Sequence, residues 1–417
     1  MQSQIYLVGV GMGSAGTITE QAIEKIKACE ALIGANRLVE TALSYTGEKK
    51  PQIYISYQAK EIGKYIRENN YSTIVVALSG DVGFYSGAKK LLQELEGVQV
   101  ELLPGISSMI YFCSKVQIPW EQICFGSAHG KRLNMIQRIS RNRYCFFLLD
   151  GKESLEMLCS KLLYYNMSQV KLYIGERLSY PDERIISGMP EQIRTVAVDK
   201  LLVILVENPQ AVNWVARTIS DSAFVRGKVP MTKGEVRNVS IGKLQLLEDS
   251  VVYDIGAGSG SVAVEMALQS PDIKVYAVEY KEEALEIIKQ NKRKFKADNV
   301  EIISGMAPKA LENLPIPTHA FIGGSSGKIE QILAALFQKN HACRVVMNII
   351  ALNSLSKILQ FLEKNPEYQS EIVQLQCSVS KNVGAYQLMM GQNPIYIITI
   401  WKNSEERELE RKNEKNT

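Results

Sequence analysis

The chain of 417 residues reads as two α/β domains in tandem. Three observations predict this class. Apolar, β-rich runs alternate with helical stretches over most of the length. That alternation lapses once, in a polar and irregular passage near the middle, and then restarts in a more regular form. In each half an apolar strand runs into a glycine turn, Gly9-Val10-Gly11-Met12-Gly13 in the first and Gly256-Ala257-Gly258-Ser259-Gly260 in the second. At 46% hydrophobic residues the chain has the apolar material for two cores.

In the first half, strands are expected at Ile5–Val10, Thr73–Leu78, Val98–Leu103, Tyr144–Leu149 and Leu201–Val206, with helices such as Thr19–Cys29 and Ser86–Leu95 between them. Glu207-Asn208-Pro209 stops the last strand, and the stretch from Ser220 to Lys233 carries Gly227 and Pro230 without a period. The expected division is therefore a domain over 1–208, a linker over 209–220 and a second domain over 221–402. In the second domain, strands are expected at Val251–Ile255, Lys274–Glu279, Val300–Ile303, Ala320–Ile322, Arg344–Asn348 and Ile395–Trp401, in a doubly wound parallel sheet. Residues 403–417 are almost wholly charged and polar, which predicts a frayed helix or a disordered tail.

A net charge of +4 suits an acidic small molecule as well as a weakly attracted nucleic acid. Seven scattered cysteines with no C-x-x-C spacing predict neither a disulfide framework nor a zinc site, so no metal is expected. The longest apolar run, Leu201–Val206, is far too short to span a bilayer, and no basic region precedes an apolar stretch at the N-terminus. A cytoplasmic protein without membrane partners is the expectation.

The second glycine turn carries the more specific signal. Its glycines let the backbone turn sharply and present N–H groups to a ligand, and Ser261 opens the helix that follows. Glu279 closes the next strand, placed to accept hydrogen bonds from ribose hydroxyls. Ser261 stands where a dinucleotide fingerprint needs a third glycine, and Asp254 just ahead of the turn suits a ligand with a positive amino-acid group. This favours S-adenosylmethionine over a nicotinamide dinucleotide.

Asp254 to Ser261, together with Ser304-Gly305-Met306-Ala307-Pro308, Phe321-Ile322-Gly323-Gly324-Ser325 and Met231-Thr232-Lys233-Gly234-Glu235-Val236-Arg237, resembles the decarboxylating C-methyltransferase family of cobalamin biosynthesis. The resemblance covers most of residues 218–402 and implies a Rossmann-like class I methyltransferase fold. It implies that Asp254, Gly256, Gly258, Gly260, Ser261 and Glu279 bind the methyl donor, with Gly305, Met306 and Ala307 by its adenine. Thr232, Lys233, Gly323, Gly324 and Ser325 would border a tetrapyrrole, and Lys233 and Arg237 at the cleft mouth would take its carboxylates. A solvated helix start is the alternative for Lys233 and Arg237. The family often has a basic residue where this chain has Gly234.

In the first half, Gly9-x-Gly11-x-Gly13 lacks dinucleotide spacing, and Ile33-Gly34-Ala35 offers no acid at the end of the next strand. Two further loops, Ser79-Gly80-Asp81-Val82-Gly83 and Pro104-Gly105-Ile106-Ser107-Ser108, also follow strand-like runs and would converge with the first into a cleft. This trio resembles the tetrapyrrole methylase superfamily, and Phe125-Gly126-Ser127-Ala128-His129-Gly130-Lys131 is similar to a segment of its carbon-5 branch. The resemblance, over about residues 4–207, implies a two-lobed class III fold. It implies that Gly80, Asp81, Gly83, Ser107 and Ser108 cradle S-adenosylmethionine while Gly9, Gly11 and Gly13 face the tetrapyrrole. His129 is either a substrate contact or a hydrogen-bonded structural residue.

In this order the two resemblances imply the fused C(5,15)-methyltransferases acting on a precorrin or cobalt-precorrin, with one donor site per domain and decarboxylation of the ring C acetate. They also imply a homo-oligomer, and catalytic residues are not assigned, because alignment rather than acid–base chemistry is expected to carry the reaction. Three rival readings stand beside this one: an RNA methyltransferase, suggested by the basic run Lys292-Arg293-Lys294-Phe295-Lys296; a domain retained only as a donor-binding scaffold; and a nicotinamide dehydrogenase, disfavoured by Ser14 and Ser261. No nucleic-acid partner is expected.

Overall fold

A computed structural model describes residues 3–48, 50–128, 133–198, 202–214 and 218–402. The expectations for His129, Lys131 and the 403–417 tail therefore lie outside the described residues. The chain forms two compact units, Met1–Leu133 with Asn142–Val212, and Asn134–Arg141 with Asn213–Thr417. The chain passes from the first unit to the second at 212–213. One short helix, Met135–Arg141, departs from the division read from sequence: it groups with the second unit, where Gln137 Nε2 donates to the Ala267 carbonyl at 3.0 Å.

The first unit holds two five-stranded sheets where the sequence suggested one alternating series. The first sheet comprises β1 (Gln4–Gly9), β2 (Ala31–Gly34), β3 (Gln52–Ile55), β4 (Thr73–Leu78) and β5 (Val100–Leu103). It is parallel throughout, in the order β3-β2-β4-β1-β5. Its central strands β1, β2 and β4 are buried on both faces by alternation: Tyr6, Val8, Leu32 and Val75 pack on one side, Ile5, Leu7, Ile33 and Ile74 on the other. Thr19 caps the helix Glu20–Ala28, its hydroxyl accepting from the Ala22 N–H at 3.3 Å. The second sheet comprises β6 (Cys124–Ser127), β7 (Tyr144–Leu149), β8 (Lys171–Glu176), β9 (Arg184–Gly188) and β10 (Leu202–Glu207), in the mixed order β6-β7-β10-β8-β9.

The second unit is built on β11 (Val251–Ile255), β12 (Lys274–Glu279), β13 (Val300–Ser304), β14 (His319–Ile322), β15 (Arg344–Ile349) and β16 (Tyr368–Leu375), with an outlying hairpin β17 (Ser378–Val383) and β18 (Tyr386–Gly391), and a final β19 (Ile395–Lys402). The main sheet runs β13-β12-β11-β14-β15-β19-β16. It corrects the expectation of an all-parallel sheet: β19 lies antiparallel to both β15 and β16. The reason is connectivity, since β16 returns through β17 and β18 to β19 without a crossover helix. The order reverses between β11 and β14, so the carboxyl ends of these two strands form a switch point.

Candidate functional sites in the two units

In the first unit the three glycine loops meet at the carboxyl ends of β1, β4 and β5. Gly9 is tied there by contact: a Cβ on it would stand 2.6 Å from the Gly80 carbonyl oxygen and 2.8 Å from the Gly105 nitrogen. Gly11 and Gly80 exchange backbone hydrogen bonds of 3.2 and 2.8 Å. Asp81 closes the cluster, accepting from the Gly83 N–H on one oxygen at 2.8 Å and from the Gly105 N–H on the other at 3.3 Å. Ser107 is buried and caps the helix Ser108–Val116 through the Ile110 N–H at 3.3 Å.

Beside these loops lies a cavity of about 510 Å³, large enough for a nucleoside-sized ligand. Gly80, Asp81, Ser107 and Ser108 line it, whereas among the described residues Gly9, Gly11, Gly13 and Gly83 do not. The first glycine turn thus reaches the cavity through Met12, and its glycines serve close packing. No sequence pattern marks the basic and aromatic part of the lining, namely Arg37, Arg177 and Tyr180, along with Phe84 and Tyr85. No local motif marks Arg37, which follows β2 on the helix Asn36–Leu43.

In the second unit, Glu279 is buried at the end of β12, and its carboxylate organises the neighbouring backbone. One oxygen accepts from the Gly258 N–H at 3.0 Å, and the other from the Tyr280 and Lys281 N–H groups at 2.8 and 3.1 Å. Gly256 allows the turn to meet the loop after β14, since a Cβ on it would stand 2.6 Å from the Gly324 carbonyl oxygen. Gly323 and Gly324 in turn donate to the Ile255 carbonyl at 2.9 and 3.3 Å. Gly256, Glu279, Gly305, Met306, Ala307, Gly324 and Ser325 line one cleft. Its enclosed part is only about 30 Å³, so a nucleoside would lie along the open side between Tyr280 and Met306, which are 48% and 38% exposed.

Asp254, Gly258, Gly260 and Ser261 stand behind that cleft and do not line it. Gly260 is the N-cap of the helix Ser261–Ala267. Asp254 is 1% exposed, and neither carboxylate oxygen has a hydrogen bond of normal geometry among the described residues. Burial pushes its carboxyl up to about 7; the Ala263 N–H works the other way, and the Glu279 charge adds to the rise. An orphaned buried carboxylate and a glycine turn with no room for side chains fit a donor that carries both an ammonium group and a nucleoside.

Arg237 corrects the sequence reading. It is fully buried, with Nε 3.0 Å from a Glu265 carboxylate oxygen and a terminal nitrogen 3.1 Å from Asp221. Its other N–H groups donate to the Thr232 and Ile219 carbonyls at 2.6 and 2.7 Å. With its guanidinium consumed inside the fold, it anchors the irregular 219–232 passage rather than standing at a cleft mouth. Lys233 keeps its side chain half exposed, 3.9 Å from Asp221.

Among the described residues, no group of three or more His, Cys, Asp or Glu side chains is placed to hold a metal ion. Burial pushes the Cys113 and Cys159 thiols up to about 11, which leaves them protonated. No described helix is long and apolar enough to cross a membrane.

A strand, a glycine turn and an acid at the end of the next strand, at the switch point of an open sheet, define the second unit as a Rossmann-like class I methyltransferase, and the first is a tetrapyrrole-methylase fold. Residues 4–194 match the family of tetrapyrrole (corrin/porphyrin) methylases, and residues 222–404 match the precorrin methyltransferase domain. A probable cobalt-precorrin-6B C(15)-methyltransferase (decarboxylating) of Pyrobaculum calidifontis is 38% identical over 187 residues, 44% of this chain and 95% of the relative. The cobalt-precorrin-6B C(15)-methyltransferase (decarboxylating) of Salmonella typhimurium is 34% identical over 186 residues, 44% of this chain and 96% of the relative. A crystal structure named precorrin-6y C5,15-methyltransferase, from Geobacter metallireducens, is 38% identical and covers 45% of this chain and 96% of its own, with a TM-score of 0.42. Through its second unit the chain belongs to the decarboxylating cobalt-precorrin-6B C(15)-methyltransferase family, whose members use S-adenosylmethionine.

Proposed function

We propose that the chain is a bifunctional C-methyltransferase of cobalamin biosynthesis, of the precorrin-6Y C(5,15) type. The second unit methylates carbon 15 of a precorrin or cobalt-precorrin and removes carbon dioxide from the ring C acetate; the first methylates carbon 5. The observation that carries this reading is the presence of two separate glycine-loop sites in one chain, the second in a unit that matches decarboxylating relatives over nearly their whole length.

When bound, S-adenosylmethionine supplies an already activated methyl group on sulfur. The meso carbons of a reduced tetrapyrrole are enamine-like nucleophiles, so the chain's residues need only align the partners and exclude water. In the second unit, Glu279 would hold the ribose with the lone pairs left by its three backbone contacts, and Gly305, Met306 and Ala307 would flank the adenine. Asp254, buried behind the cleft, would act on the donor's ammonium through its charge rather than by direct contact. In the first unit, Gly80, Asp81, Ser107 and Ser108 would cradle the donor beside the cavity. Decarboxylation breaks the bond between the acetate carbons; its electron pair enters the conjugated ring and the carbon left behind takes a proton. That requires the acetate to be held twisted, and Thr232, Lys233 and Ser325 are the proposed border of the substrate.

A homo-oligomer in the cytoplasm, without nucleic-acid or membrane partners, completes the proposal. The RNA reading has less support, because Phe295 of the basic run packs against Phe224 with ring centroids 4.8 Å apart and so offers no stacking platform. The test is calorimetric titration of the full chain with S-adenosylhomocysteine, followed by mass spectrometry of the products from a cobalt-precorrin substrate. Two sites per chain, two added methyl groups and one lost carbon dioxide are expected; a single site, or no tetrapyrrole product, overturns the proposal.

A further inference from the structure

Among the described residues, the first unit's cavity is lined by one cation, Arg37, that has no ion-paired carboxylate. One terminal nitrogen donates to the Tyr180 hydroxyl at 2.6 Å. The remaining N–H groups of the planar fork have no described protein acceptor. Arg177, also in the lining, differs in kind: its Nε is 2.5 Å from an Asp182 oxygen.

Tyr180 holds this end of the cavity together. Its ring lies against Gly13, where a Cβ would stand 2.9 Å from Cζ, and the Arg177 guanidinium sits 5.4 Å from its ring centroid. The Tyr180 hydroxyl, having accepted from Arg37, still has its own proton to donate. A guanidinium and a phenol in one half-enclosed space, with no described carboxylate in contact with them, form a receptor for a carboxylate. Phe84, Leu148 and Leu202 make another part of the lining apolar.

We propose that Arg37, steadied by Tyr180, receives a peripheral carboxylate of the substrate in the first unit and so fixes which meso carbon faces the donor. This role rests on the reading of the first unit as the carbon-5 methylation site. Arg37 is then a substrate-binding residue with an orienting function, and the reaction's electrons do not pass through it.

The test measures carbon-5 methylation of a cobalt-precorrin by the full chain, with KM and kcat separated, for wild type, Arg37→Gln, Arg37→Lys and Tyr180→Phe. Arg37→Gln is expected to raise KM for the tetrapyrrole about ten- to a hundredfold with kcat changed far less. Affinity for S-adenosylhomocysteine should stay unchanged. Arg37→Lys should fall between, keeping the charge and losing the fork, and added salt should raise KM for wild type but not for Arg37→Gln. An unchanged KM in Arg37→Gln overturns the role alone, as does an equal loss of S-adenosylhomocysteine affinity in Arg37→Gln and Tyr180→Phe, which would mean that the pair serves only to hold the loop. Failure of the wild-type chain to methylate any tetrapyrrole at carbon 5 overturns the functional reading, and the role with it.

Discussion

Replacing Arg237 by methionine separates a structural from a substrate-binding arginine. The side chain is fully buried, makes ion pairs to Glu265 and Asp221 and donates to the Ile219 and Thr232 carbonyls. Methionine would fill much of the volume and leave Glu265, 1% exposed, with the Ile219 N–H at 2.8 Å as its described hydrogen bond. Breaking a buried pair from one side costs about 3–5 kcal/mol, because the remaining charge stays desolvated. For a unit of this size that corresponds to a lower melting temperature by about 6 to 20 °C. Scanning calorimetry of the full chain should show the loss in the second unit's transition. Adding Glu265→Leu to Arg237→Met should restore part of it, since the stranded charge is then gone. Below the transition, the surviving folded protein should bind tetrapyrrole at the second site with its normal KM. A melting temperature within 2 °C of wild type, combined with a roughly tenfold higher KM for carbon-15 methylation, would refute the structural assignment and restore Arg237 to the cleft mouth.

Glu279→Ala should reduce the S-adenosylhomocysteine sites from two to one in a calorimetric titration and stop carbon-15 methylation while carbon-5 methylation continues. Asp81→Ala should do the reverse, by releasing the Gly83 and Gly105 N–H groups it bridges; product masses distinguish the two cases. Because burial holds the Asp254 carboxyl up to about 7 against an ordinary 3.8, the folded state binds the extra proton, so this group's contribution to stability is fullest at low pH and falls as pH rises from about 4 through 7. Asp254→Asn should remove that slope from the pH dependence of unfolding, and donor affinity at the second site should rise from pH 6 to 8 in wild type but stay flat in the variant. Gly9→Ala would press a methyl group onto the Gly80 and Gly105 backbones, and should lower the first unit's melting temperature and its donor affinity together.

Both glycine clusters were legible because each is a local pattern whose geometry is set by a few consecutive residues. Glu279 was legible for the same reason, as the acid that ends β12. What the sequence concealed was long-range. Arg237 looks like a charge at a helix start until Glu265 and Asp221, distant in sequence, come together around it. Arg37 has no motif, and its place in the cavity follows from contact with Tyr180, 143 positions away. The antiparallel end of the second unit's main sheet was missed although a cue to chain reversal existed in the outlying hairpin between β16 and β19: Gly384-Ala385, with Gly384 at φ 61°, is a two-residue turn between the paired Val383 and Tyr386. The flanking strands are exposed throughout, so no buried face marked them by alternation.

On the proposed function the two units solve one problem on unlike scaffolds, and in each a carboxylate grips backbone N–H groups. Asp81 ties two loops through Gly83 and Gly105, and Glu279 ties the turn at Gly258 to the start of the next segment at Tyr280 and Lys281. Methyl transfer from an activated sulfonium asks for alignment within fractions of an ångström and little else. A loop whose N–H groups already have partners pays no further ordering entropy when the ligand arrives, and glycines at the crossing points let backbones stand where side chains would push them apart. On the proposed reading the carboxylates act twice, once as fasteners of the loop and once through the lone pairs left for the ligand. Removing such a group costs shape and contact together, which is why the expected loss is confined to its own unit and why the amide Glu279→Gln, keeping one acceptor oxygen while its NH₂ faces backbone donors, should rescue little of what Glu279→Ala loses.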